Sequence, residues 1–141
     1  MGTSAQRITV AATVKAPVEK VWEFWTLPEH ITRWNSASDD WHSPSGKNDL
    51  RPGGEFLFRM EAKDGSFGFD FGGIYDEVRT NEVIAYTLGD GRKVHIDFVT
   101  ADESTTITET FDAENTNPIE MQRGGWQAIM DNFKKYAEAN A

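Results

Sequence analysis

Between Gly54 and Asp112 apolar side chains recur at every second position, and beyond Pro118 they recur at every third or fourth. The first spacing belongs to half-buried strands and the second to an amphipathic helix. Each kind of element has one apolar side to bury. A chain that changes period in this way is therefore expected to lay a long helix against one face of an antiparallel sheet.

The alternation predicts a strand with Phe56, Phe58 and Met60 on one face, a hairpin turn at "KDGS" (63–66), and a second strand on which Phe67, Phe69 and Phe71 share a face. The Gly72-Gly73 pair suggests a bulge or sharp bend before Tyr75 and Val78. Three further strands are expected over 83–88, 92–100 and 105–112, separated by "GDG" and "ADES" turns. Val94, Ile96 and Phe98 take one face of the middle one, which turns His95 and Asp97 to the other.

Upstream, Ile8, Val10, Ala12 and Val14 alternate as a first strand. Pro17 then opens a helix carrying Val18, Val21, Trp22 and Trp25, and Pro28 both stops it and starts a short second helix with Ile31 and Trp34. Downstream, Asn117 is the expected N-cap of the long helix, with Pro118 at its first position and Glu120 in a capping-box place. Its stripe is Trp126, Ile129, Met130, Phe133 and then Tyr136 or Ala137. Gly124 and Gly125 interrupt it. Each costs about 1 kcal/mol relative to alanine in a helix interior, so the pair implies a kink, a close approach or space left open.

The predicted fold is α+β: a curved antiparallel six-stranded sheet wrapped around a long C-terminal helix, with two short helices after the first strand. Its 141 residues suit a single domain spanning 1–141. A net charge of -9 offers no basic surplus to displace counterions, which argues against nucleic acid as a partner. Without cysteine, the fold has neither disulfides nor thiolate chemistry. No apolar run reaches the roughly 18 residues of a membrane span, and "MGTSAQRITV" lacks the pattern of a secretory leader. No membrane insertion and a cytoplasmic location are expected.

His30, His42 and His95 share no spacing that would converge them on an ion, so no metal site is expected. No nucleophile elbow, phosphate loop or dinucleotide fingerprint is present either, and no cofactor is expected. Glu109 is the exception in an otherwise plain pattern. It shares the parity of Ile107 and Phe111 and so points inward as a polar anchor or acid/base group. The alternatives are an ion pair with Arg59, Arg92 or Arg123, or a bulge that turns it to water. His42, which follows Trp41 and the Asp39-Asp40 pair, is a second acid/base candidate, set against a solvated loop histidine.

Three segments carry a family resemblance: "ITVAATVKAPVEKVWEFWTLPEHITRWN", "PGGEFLFRMEAKDGSFGFDFGGIYDEV" and "TTITETFDAENTNPIEMQRGGWQAIMDNFKKYAE". Together they span nearly the whole chain. They resemble the START-like superfamily, also called SRPBCC or Bet v 1-like. Within it, the chain is similar to homologues of the activator of the Hsp90 chaperone ATPase, a group also called polyketide cyclase-like. The resemblance implies a helix-grip fold with an internal cavity open to a hydrophobic ligand. The expected ligand-binding residues are Trp25, Trp34, Trp41, Phe56, Phe58, Phe69, Phe71, Tyr86, Glu109, Trp126 and Met130, with Trp34 and Trp41 at the cavity mouth. No residue is singled out as established catalytic machinery.

The leading expectation is binding of a hydrophobic or aromatic small molecule, lipid-like or polyketide-like. An interaction protein resembling the chaperone ATPase activators and a polyketide cyclase or dehydratase, using Glu109 or His42 for proton transfer, stay open beside it. The partners to consider are the small molecule, a chaperone and a second copy of the chain.

Overall fold

The computed structural model describes residues 6–35 and 40–141. The element order is β1 (Arg7–Val14), α1 (Val18–Thr26), α2 (Pro28–Trp34), β2 (Trp41–Asn48), β3 (Glu55–Ala62), β4 (Gly68–Arg79), β5 (Val83–Leu88), β6 (Lys93–Ala101), β7 (Ser104–Asp112) and α3 (Ile119–Asn140). The seven strands form one sheet in the order β1-β7-β6-β5-β4-β3-β2, with every neighbouring pair antiparallel. The α+β helix-grip arrangement is thus present, with one strand more than the pattern predicts.

The extra strand is β2, whose sequence "WHSPSGKN" has none of the apolar alternation that announces a strand. It forms because it pairs with β3 at the sheet edge. Pro44 falls in the register shift between His42 and Ser45, where its missing N–H costs no ladder bond. At Gly46 the opposing Phe58 ring lies so close that an added Cβ would come within 2.0 Å of it. The edge strand is thin there because β3 needs the room.

The anticipated bend in β4 also moves. Gly72 and Gly73 pair in regular register with Leu57 and Phe56, and the irregularity falls between Tyr75 and Glu77, opposite β5. The glycines answer to crowding instead. A Cβ on Gly73 would sit 2.5 Å from the Thr87 carbonyl oxygen and 3.1 Å from the Phe56 ring.

Helix α3 starts at Ile119 with Pro118 at its N-cap, and no side chain caps it. Asn117 lies one position before the cap, and its amide and backbone N–H both donate to Glu114 Oε1. Glu120 pairs with Arg123. The entry is tied down by Gln122, whose amide donates to the carbonyls of Asn117 (2.7 Å) and Glu114 (3.2 Å) and accepts from the Glu114 N–H (2.9 Å).

The core lies between the concave face of the sheet and the helices. Ile8, Val14, Ile107, Phe111, Met130, Phe133 and Ala137 are essentially inaccessible. Phe133 also fits between two tryptophans, with centroids 4.8 Å from Trp25 and 4.9 Å from Trp34. Such rings each contribute roughly 1.5–3 kcal/mol through burial alone. Among the described residues, no helix is long and apolar enough to cross a membrane.

Candidate functional site

The two halves of α3 differ. Met130, Phe133 and Ala137 are sealed against β1, α1 and α2, whereas Trp126 and Ile129 are only half-buried. Between that first half and strands β3 to β5 the sheet and helix stand apart. A cavity of about 320 Å³ fills the gap.

Each wall follows from the alternation of its strand. Phe56 and Phe58 come from β3, Phe69 and Phe71 from β4, and Tyr86 from β5, while Trp25, Trp34 and Trp126 come from the three helices. Phe56 organises one wall, with its centroid 4.8 Å from Tyr86 and 5.2 Å from Tyr75. Trp126 stacks on Phe111 and closes the β7 side. Phe69, at 45% exposure, marks where the cavity meets solvent.

Glu109 lines the same space at 6% exposure. Its parity with Ile107 and Phe111 is kept, because β7 runs without a bulge against both neighbours, opposite Val10 on β1 and Ile96 on β6. None of the three arginines weighed as partners reaches it. Arg59 pairs with Glu61 and Asp70, Arg92 with Asp90, and Arg123 with Glu120. Among the described residues, Glu109 has no hydrogen-bond or ionic partner. Removal from water without compensation pushes its carboxyl up to about 8, so it is mostly protonated near neutrality. The Tyr86 hydroxyl is pushed well above its ordinary value, first by burial and then by the neighbouring Glu109.

Nine of the eleven residues singled out from sequence therefore border one cavity, and two do not. Met130 belongs to the sealed half of α3, 1% exposed. Trp41 is carried outward by β2, where it packs on Phe67 and Phe69 with centroids 6.0 and 5.9 Å away. It borders a polar surface hollow with His42, Lys63 and Lys135. Trp41 thus lies on an edge strand where a loop was expected, beside Phe69 at the opening but without lining the cavity. Trp34 does border the cavity, and its indole N–H is fixed by the Phe24 carbonyl at 2.9 Å.

His42 is also outside the cavity, on the surface and 3.8 Å from Glu61. Asp39, once set beside it as an assisting carboxylate, lies outside the described residues. The other histidines are engaged separately, His30 with the Tyr136 hydroxyl and His95 with Asp97.

Several lining residues escaped the sequence reading. Met60 and Ile129 had the right parity and spacing and were passed over for their aromatic neighbours. Tyr75 follows the glycine pair, where facing could not be carried forward. Its hydroxyl donates to Asn48, whose amide in turn donates to the Thr26 carbonyl at 2.6 Å, joining β4 through β2 to the end of α1. Arg92 and Glu114 lie at strand ends, where periodicity carries no information.

The chain's likeness to known proteins agrees with this geometry. The family model for Activator of Hsp90 ATPase homolog 1-like protein matches residues 15–138. An AHSA1-like protein from Aeromonas hydrophila, solved in solution, is 42% identical over 95% of this chain and 93% of its own, with a TM-score of 0.90. A protein from Cytophaga hutchinsonii is 55% identical over the same shares, with a TM-score of 0.82. A crystal structure from Nitrosomonas europaea, 21% identical with a TM-score of 0.81 over 96% of each chain, shares the fold. No curated protein matches. On the match over residues 15–138 and the two closely similar structures, the chain belongs to the family of Activator of Hsp90 ATPase homolog 1-like proteins, within the START-like superfamily.

Proposed function

We propose that the protein binds a hydrophobic or aromatic small molecule in the space between the sheet and the first half of α3, acting in the cytoplasm. The observation that carries this reading is the cavity of about 320 Å³ walled by aromatic rings with a single unpartnered carboxyl among them. Small-molecule sites have this character: mostly apolar, concave, with few polar groups to fix orientation. A purely structural interior would have little reason to keep Glu109, since burying a polar group without a partner costs free energy.

Native mass spectrometry of protein purified from its host, together with titration of tryptophan fluorescence by lipids and aromatic polyketides, tests the reading. Trp25, Trp34 and Trp126 border the cavity and would report occupancy directly. A bound mass, or saturable quenching, is the expected result. An interior that carries no ligand and answers to none would sink it.

A second reading is an interaction with an Hsp90-type chaperone, suggested by the family's description. The feature that favours it is the apolar cluster of Trp41, Phe67 and Phe69 on the outer edge, with Phe67 64% exposed. A change in the chaperone's ATPase rate on adding the protein, reduced by Phe67→Ser, is expected. An unchanged rate and no co-purification would remove it.

A further inference from the structure

The ring-walled cavity is not uniformly apolar. Its ionisable lining groups are Tyr75 on β4, Tyr86 on β5, Arg92 before β6, Glu109 on β7 and Glu114 after it. The part of α3 facing the space contributes Trp126 and Ile129, and β3 contributes Phe56, Phe58 and Met60, none of them ionisable. Arg92 is already paired, Nε to Asp90 at 2.7 Å, and Glu114 is held by Asn117. That leaves Glu109 as the buried acid with no counter-charge, 6% exposed and facing the cavity from the middle of its strand.

We propose that the preferred ligand is an apolar, ring-containing molecule bearing one basic nitrogen, whose protonated amine pairs with the Glu109 carboxylate while the surrounding aromatic faces hold the body. This rests on the small-molecule reading above and names its ligand class. Aromatic faces attract ammonium groups electrostatically, more strongly once water is removed. A buried acid without a partner is the complement that such a cation needs. A ligand carboxylate would meet two acids and one arginine already engaged by Asp90. The net charge of -9 also concentrates cations near the protein.

The protonation balance gives the proposal its test. In the empty cavity Glu109 holds its proton up to about pH 8, and a free alkylamine is protonated there too. Forming the carboxylate–ammonium pair therefore releases one proton to solvent, and the amine's affinity must rise with pH until Glu109 ionises by itself. A neutral oxygen-bearing ligand, accepting from the protonated carboxyl, moves no proton and keeps the same affinity up to about pH 8, weakening only above it.

The experiment titrates 1-naphthylmethylamine, 1-naphthylmethanol and 1-naphthoate into the full chain by calorimetry and tryptophan fluorescence from about pH 6 to about pH 8. Expected is an amine preference over the alcohol of about tenfold or more near the top of that range, shrinking about tenfold for each pH unit below it. Glu109→Gln, checked for a native near-ultraviolet circular dichroism spectrum, should bring the amine down to the alcohol's affinity. Should that variant not fold, Glu109→Asp, which withdraws the carboxyl by one methylene, should weaken the amine alone. Equal or tighter binding of the alcohol or naphthoate near the top of that range, a pH-independent amine affinity, or an amine preference surviving there in Glu109→Gln would overturn the proposal while leaving the small-molecule reading standing. No binding of any of the three at millimolar concentration would defeat both.

Discussion

The Trp126 indole lies flat on the Phe111 ring, with centroids 3.8 Å apart and planes 13° from parallel. Through this contact the loosely packed half of α3 is fastened to β7, the strand next to the sheet's β1 edge. Trp126→Ala is expected to lower stability by about 2–4 kcal/mol and to enlarge the cavity. Trp126→Phe, which can keep a stack, should lose less than half as much. Urea unfolding of the two variants, compared at constant m-value, measures the difference.

Glu109 makes stability depend on pH with a defined sign. Its carboxyl titrates near 4.5 when solvated and at about 8 in the fold, so between these values the native state keeps a proton that the unfolded chain has lost. Its contribution is intact below pH 4.5 and is lost as pH rises through about 8. The slope inside that window is on the order of 1.4 kcal/mol per pH unit. Glu109→Gln should flatten it, becoming more stable than the parent at about pH 8 while differing little near pH 5. Denaturant midpoints across that range decide; equal slopes for the two proteins would count against a buried, uncompensated acid.

The glycines should respond in opposite ways to the same added methyl group. No atom lies within 4 Å of where a Cβ would stand on Gly124 or Gly125, so either alanine variant should gain about 0.5–1 kcal/mol of helix propensity. Gly73→Ala meets the Thr87 carbonyl and the Phe56 ring and should lose about 1–3 kcal/mol. Thermal melts of the three variants check the contrast.

Asn48 bridges β4 and α1: the Tyr75 hydroxyl donates to its side chain, and its amide donates to the Thr26 carbonyl. Asn48→Ala leaves both partners unsatisfied in a half-buried setting, at a cost of about 1–3 kcal/mol. Amide hydrogen exchange should rise at the C-terminal turn of α1 more than in β6 or β7. Uniform loss across the sheet would speak against a local bridge.

Much of this was legible in the sequence, for definite reasons. Phe56, Phe58, Phe69, Phe71 and Glu109 sit on regular strands, where alternation alone fixes the facing, and all five border the cavity. Trp126 was placed by helical spacing in the same way. Legibility ended where tertiary contacts override local pattern. Strand β2 is polar and is made a strand by its pairing with β3, which carried Trp41 to the outside. Met130 lies on the correct stripe of α3, but its depth depends on where along its length the helix leaves the sheet, which periodicity does not encode. The Asn117 cap was missed by one position, because the helix begins at Ile119 with Pro118 at its N-cap, while Asn117 turns its donors to Glu114.

Among the described residues β1 pairs with β7 alone, placing Ile8 opposite Phe111, while the chain between them builds the other strands of the sheet. The earliest of these elements to be made is thus among the last to find a partner. Until β7 and α3 have emerged, β1 lacks its pairing strand, and its inner face, with Ile8, Val10 and Val14, lacks the helix it packs on. Closing so large a loop is slow compared with forming local hairpins, which places folding of this chain with the non-local β topologies, in milliseconds to seconds. The interval between synthesis and closure is when the newborn protein is most exposed to aggregation.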